Sequence, residues 1–195
     1  MNLHKFPATD IPEIFQPYDK SEHFSHCVSC NVYLLDESIE YVIEKAIRQY
    51  PEYGTTDVIF EYAMCLKCAE KMRKELSEES LQRIEAYIMK QGKLIEQSQK
   101  LRDAHNWNVK DWLSKCAFTG QAIEDQSEYQ IIAHCKGNQL VFSAMPYMIS
   151  AQAMEEMSEL LSQKTQDELN RFIDDNFGIP PELKKPIIDN PVVLL

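Results

Sequence analysis

The sequence holds two Cys-x-x-Cys pairs, Cys27-Val28-Ser29-Cys30 and Cys65-Leu66-Lys67-Cys68, and the fold of the first half of the chain depends on them. A Cys-x-x-Cys turn directs two sulfur atoms at one point, and two such turns supply the four tetrahedral thiolates that zinc favours. We therefore predict one structural Zn²⁺ ion, with Cys27, Cys30, Cys65 and Cys68 as its ligands. Iron–sulfur ligation and thiol redox chemistry are the alternatives for these residues, and metal analysis separates zinc from iron.

Four cysteines occupy every position of a tetrahedral site, so no position is left for a metal-bound water, and we expect no catalysis at this metal. His23 and His26 lie beside the first pair, but the tetrahedron is already complete and we expect neither to be a ligand. No GxSxG, P-loop, GxGxxG or HExxH pattern occurs in the chain, and five glycines leave little scope for a phosphate-binding loop. The sequence therefore predicts a protein that is not an enzyme.

Composition limits the other classes of function. The 195 residues are 44% apolar and 26% charged, as in ordinary soluble globular proteins. No apolar run approaches the roughly 20 residues that a membrane span needs, and the first residues, MNLHKFPATD, lack the apolar core of a signal peptide. We expect a cytoplasmic protein without a membrane partner, in which thiols stay reduced and paired Cys-x-x-Cys motifs bind metal rather than form disulfides.

The net charge of −11 disfavours a sequence-blind nucleic-acid binder, because that affinity comes from Lys and Arg on phosphates. The charge is uneven: residues 65–115 carry 11 basic and 8 acidic side chains, whereas residues 1–64 carry 4 and 11 and residues 116–195 carry 5 and 12. We interpret the mildly basic middle as a surface on which the acidic flanks dock. Contact of this middle segment with an acidic partner is the alternative.

Between and after the cysteine pairs, the pattern predicts two strands and two helices. Residues 31–35 and 57–63 are rich in β-forming side chains and predict short strands. Between them, apolar residues at helical spacing predict a helix over Ser38–Tyr50, which Pro51 and Gly54 end. The second cysteine pair begins a further helix, so its thiolates lie at a helix N-terminus, where the dipole favours negative charge.

This order of turn, strand, strand and a helix that begins on the second ligand pair resembles the treble-clef zinc fingers. The resemblance covers residues 27–76, and 34 residues separate the pairs where roughly 15–20 is commoner, an excess that the Ser38–Tyr50 helix explains. Treble clefs occur in nucleic-acid binding, protein docking and nuclease scaffolds, so the resemblance implies a fold and leaves the task open. A treble-clef nuclease would need histidines on its hairpin and helix, and residues 31–76 have none.

Two other segments lie before and after this module. Residues 1–26 are polar and punctuated by proline, and they predict an extended arm laid over the surface. Residues 77–115 predict a long helix to about Asp103, with Gly92 as its weak point, followed by a linker with two tryptophans. We expect the apolar stripe of this helix to pack inside the molecule; homodimerisation through it is the alternative.

Residues 116–195 read as a second copy of the first module without its metal. Cys116-Ala117-Phe118-Thr119-Gly120 occupies the place of the first turn, with Thr119 at the second cysteine's position, and Ser150-Ala151-Gln152-Ala153 replaces the helix-opening pair. A hairpin is predicted across Lys136-Gly137-Asn138, and a Pro-rich strap ends the chain. Chance similarity of two helical stretches is the rival interpretation. The predicted fold class is α+β, with two treble-clef-like modules, the second degenerate and metal-free, joined by a long helix.

Cys116 and Cys135, with His134 and His105, form a candidate second metal site. Two cysteines outside a Cys-x-x-Cys turn are more often buried apolar side chains, and we expect that role for them. If they did bind metal, the chain would hold two ions instead of one.

A structural zinc site in an acidic, non-enzymatic chain favours a protein–protein interaction or scaffold module, whose partner the sequence does not identify. The alternative is a nucleic-acid-binding zinc finger that uses the basic residues of the zinc helix. Glu70 and Glu75 are interleaved with those cations, and the overall charge opposes the approach of phosphate. The cations are Lys67, Lys71, Arg73 and Lys74.

Overall fold

An antiparallel sheet organises the part of the chain that the computed structural model describes, which is residues 6–19, 22–91 and 93–177. Its six strands in these ranges are β1 (Ala8–Asp10), β2 (Glu40–Tyr50), β3 (Thr55–Cys65), β4 (Glu128–Lys136), β5 (Gln139–Val141) and β6 (Tyr147–Ser150). They are ordered β1-β5-β4-β2-β3, and β6 also pairs with β4.

Six α-helices accompany the sheet in the described ranges, so the fold is α+β, as predicted. They are α1 (Leu66–Glu75), α2 (Glu78–Gln91), α3 (Lys93–Asp103), α4 (Val109–Leu113), α5 (Ala151–Ser158) and α6 (Gln163–Phe177). The helices α2 and α3 flank Gly92, which lies outside the described residues, so one continuous helix through this position stays a prediction. None of these helices combines the length and apolar character needed to cross a membrane.

The predicted helix over Ser38–Tyr50 is wrong, because this segment contains strand β2. The strand lies between β3 and β4, and Tyr41–Ile47 form a continuous buried run. Such a run lacks the alternation of a half-exposed strand, and periodicity alone does not distinguish it from a buried helix. The strand predicted over residues 31–35 is also wrong, since Tyr33 is the one residue of this segment with β-pairing, in an isolated bridge to His26.

Two hairpins turn on glycines with positive φ. The strands β2 and β3 are joined by residues 51–54, where Gly54 has φ +60°, and β4 and β5 are joined at Gly137, with φ +54°. At Gly137 an added Cβ would lie 3.3 Å from the Cα of Glu37, so a close backbone neighbour adds to the need for glycine. The hairpin predicted across Lys136-Gly137-Asn138 is therefore confirmed.

The predicted N-terminal arm enters the sheet instead of only covering it. Its strand β1 pairs with β5, with Ala8 opposite Val141. Ile11 and Phe15 are buried in the core. The described part of the arm is thus an edge strand with two apolar anchors. From residue 178 onward, the predicted C-terminal strap lies outside the described residues.

The strand pair β2–β4 joins the two predicted modules in one sheet. It runs from Glu40 opposite Lys136 to Arg48 opposite Glu128. Arg48 Nε also lies 2.6 Å from Glu128 Oε1 in an ion pair. One cluster of buried apolar residues extends through both segments. The two segments predicted as modules therefore share a sheet and a hydrophobic core.

A group of hydroxyl side chains, which we call the hydroxyl cluster, holds the N-termini of α2 and α6 together. The Ser77 N–H donates to Thr165 Oγ1 at 3.0 Å, and the Ser162 N–H donates to Ser80 Oγ at 2.8 Å. Ser77 Oγ and Ser162 Oγ share a hydrogen bond at 2.7 Å. Ser80 and Thr165 are fully buried. The start of each helix is therefore capped in part by the other helix. The cluster consists of Ser77, Ser80, Ser162 and Thr165.

Thr165→Val and Ser80→Ala each remove the acceptor of a backbone N–H, so each should lower the free energy of unfolding by about 1–3 kcal/mol. Ser158→Ala is the control, because the Ser158 hydroxyl donates to the Glu155 carbonyl oxygen at an exposed helix end; its effect should stay below about 0.5 kcal/mol. Urea unfolding followed by circular dichroism measures all three. Equal stability of the Ser80→Ala and Ser158→Ala proteins would contradict the mutual capping.

Candidate metal centre

The first pair of cysteines lies in a tight turn at residues 27–32. The Cys27 N–H donates to the Val32 carbonyl oxygen, and the Asn31 N–H donates to the Cys27 carbonyl oxygen, both at 2.9 Å. Asn31 has φ +56°, a left-handed conformation in which asparagine is several-fold enriched. These bonds fix the backbone so that both sulfurs of the pair are carried by one short loop.

The second pair lies where β3 ends and α1 begins. Cys65 is the last residue of β3 and the N-cap of α1, and Cys68 is the third residue of that helix. The Val28 N–H donates to the Ala63 carbonyl oxygen at 2.9 Å, which holds the turn against the end of β3. The Cys65 N–H points at the sulfur of Cys27, 3.4 Å away. The turn, the strand end and the helix start therefore converge on one point.

The four sulfur atoms lie within 4.8 Å of one another. Zinc–thiolate bonds of about 2.3 Å in a tetrahedron place the sulfurs about 3.8 Å apart, and Cys30 Sγ lies 3.7 Å from Cys65 Sγ. Cys27 and Cys65 are buried, Cys68 is half-buried and Cys30 is exposed, so the group lies at the edge of the core. The four predicted cysteines thus form a cluster that can hold a metal ion, consistent with a zinc-finger-like site.

Four neighbouring thiolates would repel one another, so a bound cation would stabilise their ionised form. Burial opposes ionisation of Cys27, but the backbone N–H groups of Cys65, Cys30 and Ser29 outweigh it and lower the pKa of the Cys27 thiol. Burial raises the pKa of Cys65, and burial together with the neighbouring thiols raises the pKa of Cys68. Without a cation, ionisation of Cys65 and Cys68 is therefore disfavoured. A bound Zn²⁺ ion would supply the positive charge that lets all four ionise.

Neither histidine beside the first pair joins the group of ligand atoms. His26 Nδ1 is hydrogen-bonded to Ser25 Oγ at 2.9 Å, and its ring meets the Tyr33 ring edge to face. His23 Nδ1 is buried and has no hydrogen-bond partner among the described residues. The group that could hold a metal ion consists of the four cysteines that the spacing predicted.

The candidate second metal site does not assemble. In the part of the chain that the structure describes, the four cysteines of the first site are the one group of three or more potential ligands. Burial raises the pKa of the Cys135 thiol to about 12, as for an apolar core residue. His134 Nε2 faces Glu40 Oε2 at 3.6 Å, and the ring of His105 lies against Trp107. The described residues therefore offer one metal-binding group, in the first half.

Residues 116–121 form a second turn with the backbone hydrogen bonds of the metal-binding turn. The Cys116 N–H donates to the Gln121 carbonyl oxygen at 2.7 Å, and the Gly120 N–H donates to the Cys116 carbonyl oxygen at 2.9 Å. Gly120 has φ +76° and is the left-handed residue of this turn. Cys116 thus occupies the first cysteine position of a turn that has no second cysteine.

Sequence reasoning missed the side-chain contacts around Cys116. The N–H and the Oγ of Ser150 lie 3.3 and 3.2 Å from Cys116 Sγ, and Thr119 Oγ1 lies 3.2 Å from Ser150 Oγ. Burial opposes ionisation of Cys116, but the hydrogen bonds from Ser150 and Thr119 outweigh it and lower the pKa of the thiol. Ser150 is the N-cap of α5, where its Oγ accepts from the Ala153 N–H. A serine before an apolar helical run is a typical N-cap, so this signal was present in the sequence.

The basic residues of the zinc helix differ in their surroundings. Arg73 forms an ion pair with Glu85, with Nη2 and Oε1 2.7 Å apart. Lys67, Lys71 and Lys74 are exposed, and their spacing of four and three residues places them on one face of α1. The predicted cationic surface therefore consists of three exposed lysines and one arginine held by a carboxylate.

Purified protein should contain about one zinc ion per chain, and Cys30→Ser should lose it. Cys30 is an exposed residue, so this substitution removes a ligand with little change in core packing. We expect the free energy of unfolding to fall by several kcal/mol, because metal binding at such sites is coupled to folding. Elemental analysis and thermal melting measure the two effects.

Cys135→Ala is the control, since Cys135 is a buried cysteine outside the cluster and its loss should leave the metal content unchanged. A Cys30→Ser protein with the metal content and melting temperature of the wild type would rule out the four-cysteine site.

Comparison with family models, with curated proteins and with solved structures found no match to this chain. The metal-binding group therefore rests on the geometry and chemistry of the four cysteines.

Proposed function

We propose that this chain is a protein–protein interaction module whose first half is stabilised by one structural Zn²⁺ ion. The observation that carries the proposal is the closed group of four cysteine sulfurs where a turn, a strand end and a helix start meet. Protein sulfur would fill all four positions around the ion, so none is left for water or a substrate. A metal held in this way supports a fold and not a reaction.

The proposed architecture is two treble-clef-like halves, of which only the first binds metal. In residues 27–76, the order of turn, β-hairpin and helix supports this assignment. The hairpin strands β2 and β3 have 11 residues each, which accounts for most of the 34 residues between the cysteine pairs. Residues 116–158 follow a related order of turn, β4, β6 and α5, with the short strand β5 between β4 and β6, and α2 and α3 connect the halves.

Large apolar side chains exposed on the first half and on α2 and α3 are the proposed contact sites. Tyr33, near the metal-binding turn, is 52% exposed, and Tyr53, between β2 and β3, is 78% exposed. Met89 on α2 and Ile95 on α3 are 81% and 59% exposed. Tyrosine and methionine are enriched where proteins meet. A partner protein, or a second copy of this chain through α2 and α3, would cover these side chains.

Nucleic-acid binding through α1 is the second candidate function. The exposure of Lys67, Lys71 and Lys74 on one helix face favours it, whereas the net charge of −11 opposes the approach of phosphate. Affinity for a random DNA duplex that falls steeply with salt, and that Lys67→Glu/Lys71→Glu/Lys74→Glu abolishes, would favour this candidate over protein binding.

A photoreactive amino acid placed at position 33, 53, 89 or 95 should crosslink the chain to one recurring protein in the cells that express it. Gln82 and Gln99 are matched control positions, because they are exposed polar residues of α2 and α3. Mass spectrometry identifies the crosslinked protein, including a second copy of this chain. Equal labelling from the control and the apolar positions, or no protein adduct from any apolar position, would contradict the interaction proposal.

A further inference from the structure

The turn at residues 116–121 contacts the second half as the metal-binding turn contacts the first. In the first half, the N–H of Val28, the second residue of the turn, donates to the carbonyl oxygen of Ala63, which lies two residues before the N-cap of α1. In the second half, the Ala117 N–H donates to the Met148 carbonyl oxygen at 2.8 Å, again two residues before an N-cap, Ser150. The N-cap N–H then points at the sulfur of Cys116 at 3.3 Å, as the N–H of Cys65 points at a sulfur at 3.4 Å.

The register of the sheet relates the same positions. Tyr41 of β2 lies opposite the N-cap residue of α1, and Tyr129 of β4 lies opposite the N-cap residue of α5. Where β2 and β4 pair, Glu44 lies opposite Ile132. Glu44 follows Tyr41 by three positions, and Ile132 follows Tyr129 by three positions. Equivalent positions at equal distances from the centre of an antiparallel pair define an approximate twofold axis. The mutual capping of α2 and α6 by the hydroxyl cluster has the same reciprocity.

This equivalence gives every ligand position of the first half a counterpart in the second. One counterpart is a cysteine and the other three are not. The counterparts are Cys116 for Cys27, Thr119 for Cys30, Ser150 for Cys65 and Ala153 for Cys68.

In the second half, hydrogen bonds link the residues that correspond to the four cysteines of the first half. Ser150 Oγ donates to Cys116 Sγ at 3.2 Å and is hydrogen-bonded to Thr119 Oγ1 at 3.2 Å. The same hydroxyl oxygen accepts from the Ala153 N–H at 3.4 Å. The turn, the strand end and the helix start are therefore joined, as they are in the first half. Cys116, Ser150 and Ala153 are all fully buried.

We infer that the second half keeps a latent metal site, in which the cluster of Cys116, Thr119 and Ser150 preserves the backbone geometry of a four-thiolate zinc site. The site binds a soft divalent cation once thiols are restored at positions 119, 150 and 153. This inference rests on the proposed function, because the first half serves as the pattern for the zinc site.

The test is the metal content of the full-length Thr119→Cys/Ser150→Cys/Ala153→Cys protein after exposure to Zn²⁺ under reducing conditions. We expect two zinc ions per chain, against one for the wild type. Replacement by Co²⁺ gives a second readout, since the thiolate-to-metal absorption should double. Adding Cys116→Ala to the triple variant is the control, because it removes the retained thiol and should return the content to one ion.

Failure of this inference is distinguishable from failure of the proposed function. The wild type reports the first site, and the difference between the triple variant and the wild type reports the second. The triple variant in a Cys30→Ser background should hold one ion, at the second site alone. A folded triple variant with the metal content of the wild type would overturn the inference. No ion in the wild type and one in the triple variant would overturn the first site and support the inference.

A double-mutant cycle in the native chain tests the hydrogen-bonded cluster without added thiols. Thr119→Val and Ser150→Ala should each lower the urea midpoint, and the two effects should be non-additive because these side chains share a hydrogen bond. Gln121→Ala and Gln152→Ala are the matched pair, since their exposed hydrogen bond of 2.8 Å links the same turn and helix. The inference would be overturned if the effects of Thr119→Val and Ser150→Ala on the urea midpoint were additive and no larger than those of the glutamine pair. This test holds even if the triple variant does not fold.

Discussion

The first half depends on the convergence of a turn, the end of β3 and the start of α1 on one point. Each element brings groups that need a partner there: backbone N–H donors of the turn, and the unpaired N–H groups and positive dipole end of the helix. The sulfur of Cys27 accepts from the Cys65 N–H at this point, but burial raises the pKa of Cys65 and of Cys68 and so disfavours their ionisation in the absence of a cation. Thiolate formation, binding of a metal ion and local folding would therefore be one coupled equilibrium.

The second half joins the same three elements with different chemistry. There a serine hydroxyl donates to the one remaining sulfur and caps the helix, and the residues involved are more deeply buried than those of the metal-binding group. Cys116 and Ser150 are fully buried, whereas Cys30 is exposed. A buried junction is also held by packing, for example through Phe118 and Met148, both fully buried. A junction at the surface has fewer apolar contacts, so a metal ion bound there would contribute more to its stability.

The cysteine cluster and the Gly137 hairpin were predictable because both depend on residues that are close in sequence or on a spacing with one chemical meaning. Strand β2 was not, since its apolar residues recur at helical spacing, as in an amphipathic helix. In the sheet, two of its charged residues, Glu44 and Lys45, are buried and have distant partners. Glu44, only 1% exposed, accepts from the Tyr62 hydroxyl at 2.6 Å, and Lys45 Nζ lies 2.9 Å from Glu61 Oε2. Partners this far apart in sequence leave no local pattern. The same holds for the pairing of β1 with β5 and for the hydroxyl cluster.

X-ray absorption spectroscopy at the zinc K-edge of the wild-type protein tests the central claim most directly. A tetrahedral site formed by Cys27, Cys30, Cys65 and Cys68 predicts four sulfur neighbours at about 2.3 Å and no nitrogen or oxygen neighbour. A spectrum with nitrogen or oxygen in the coordination sphere, or a protein that carries iron or no metal in place of zinc, would contradict it.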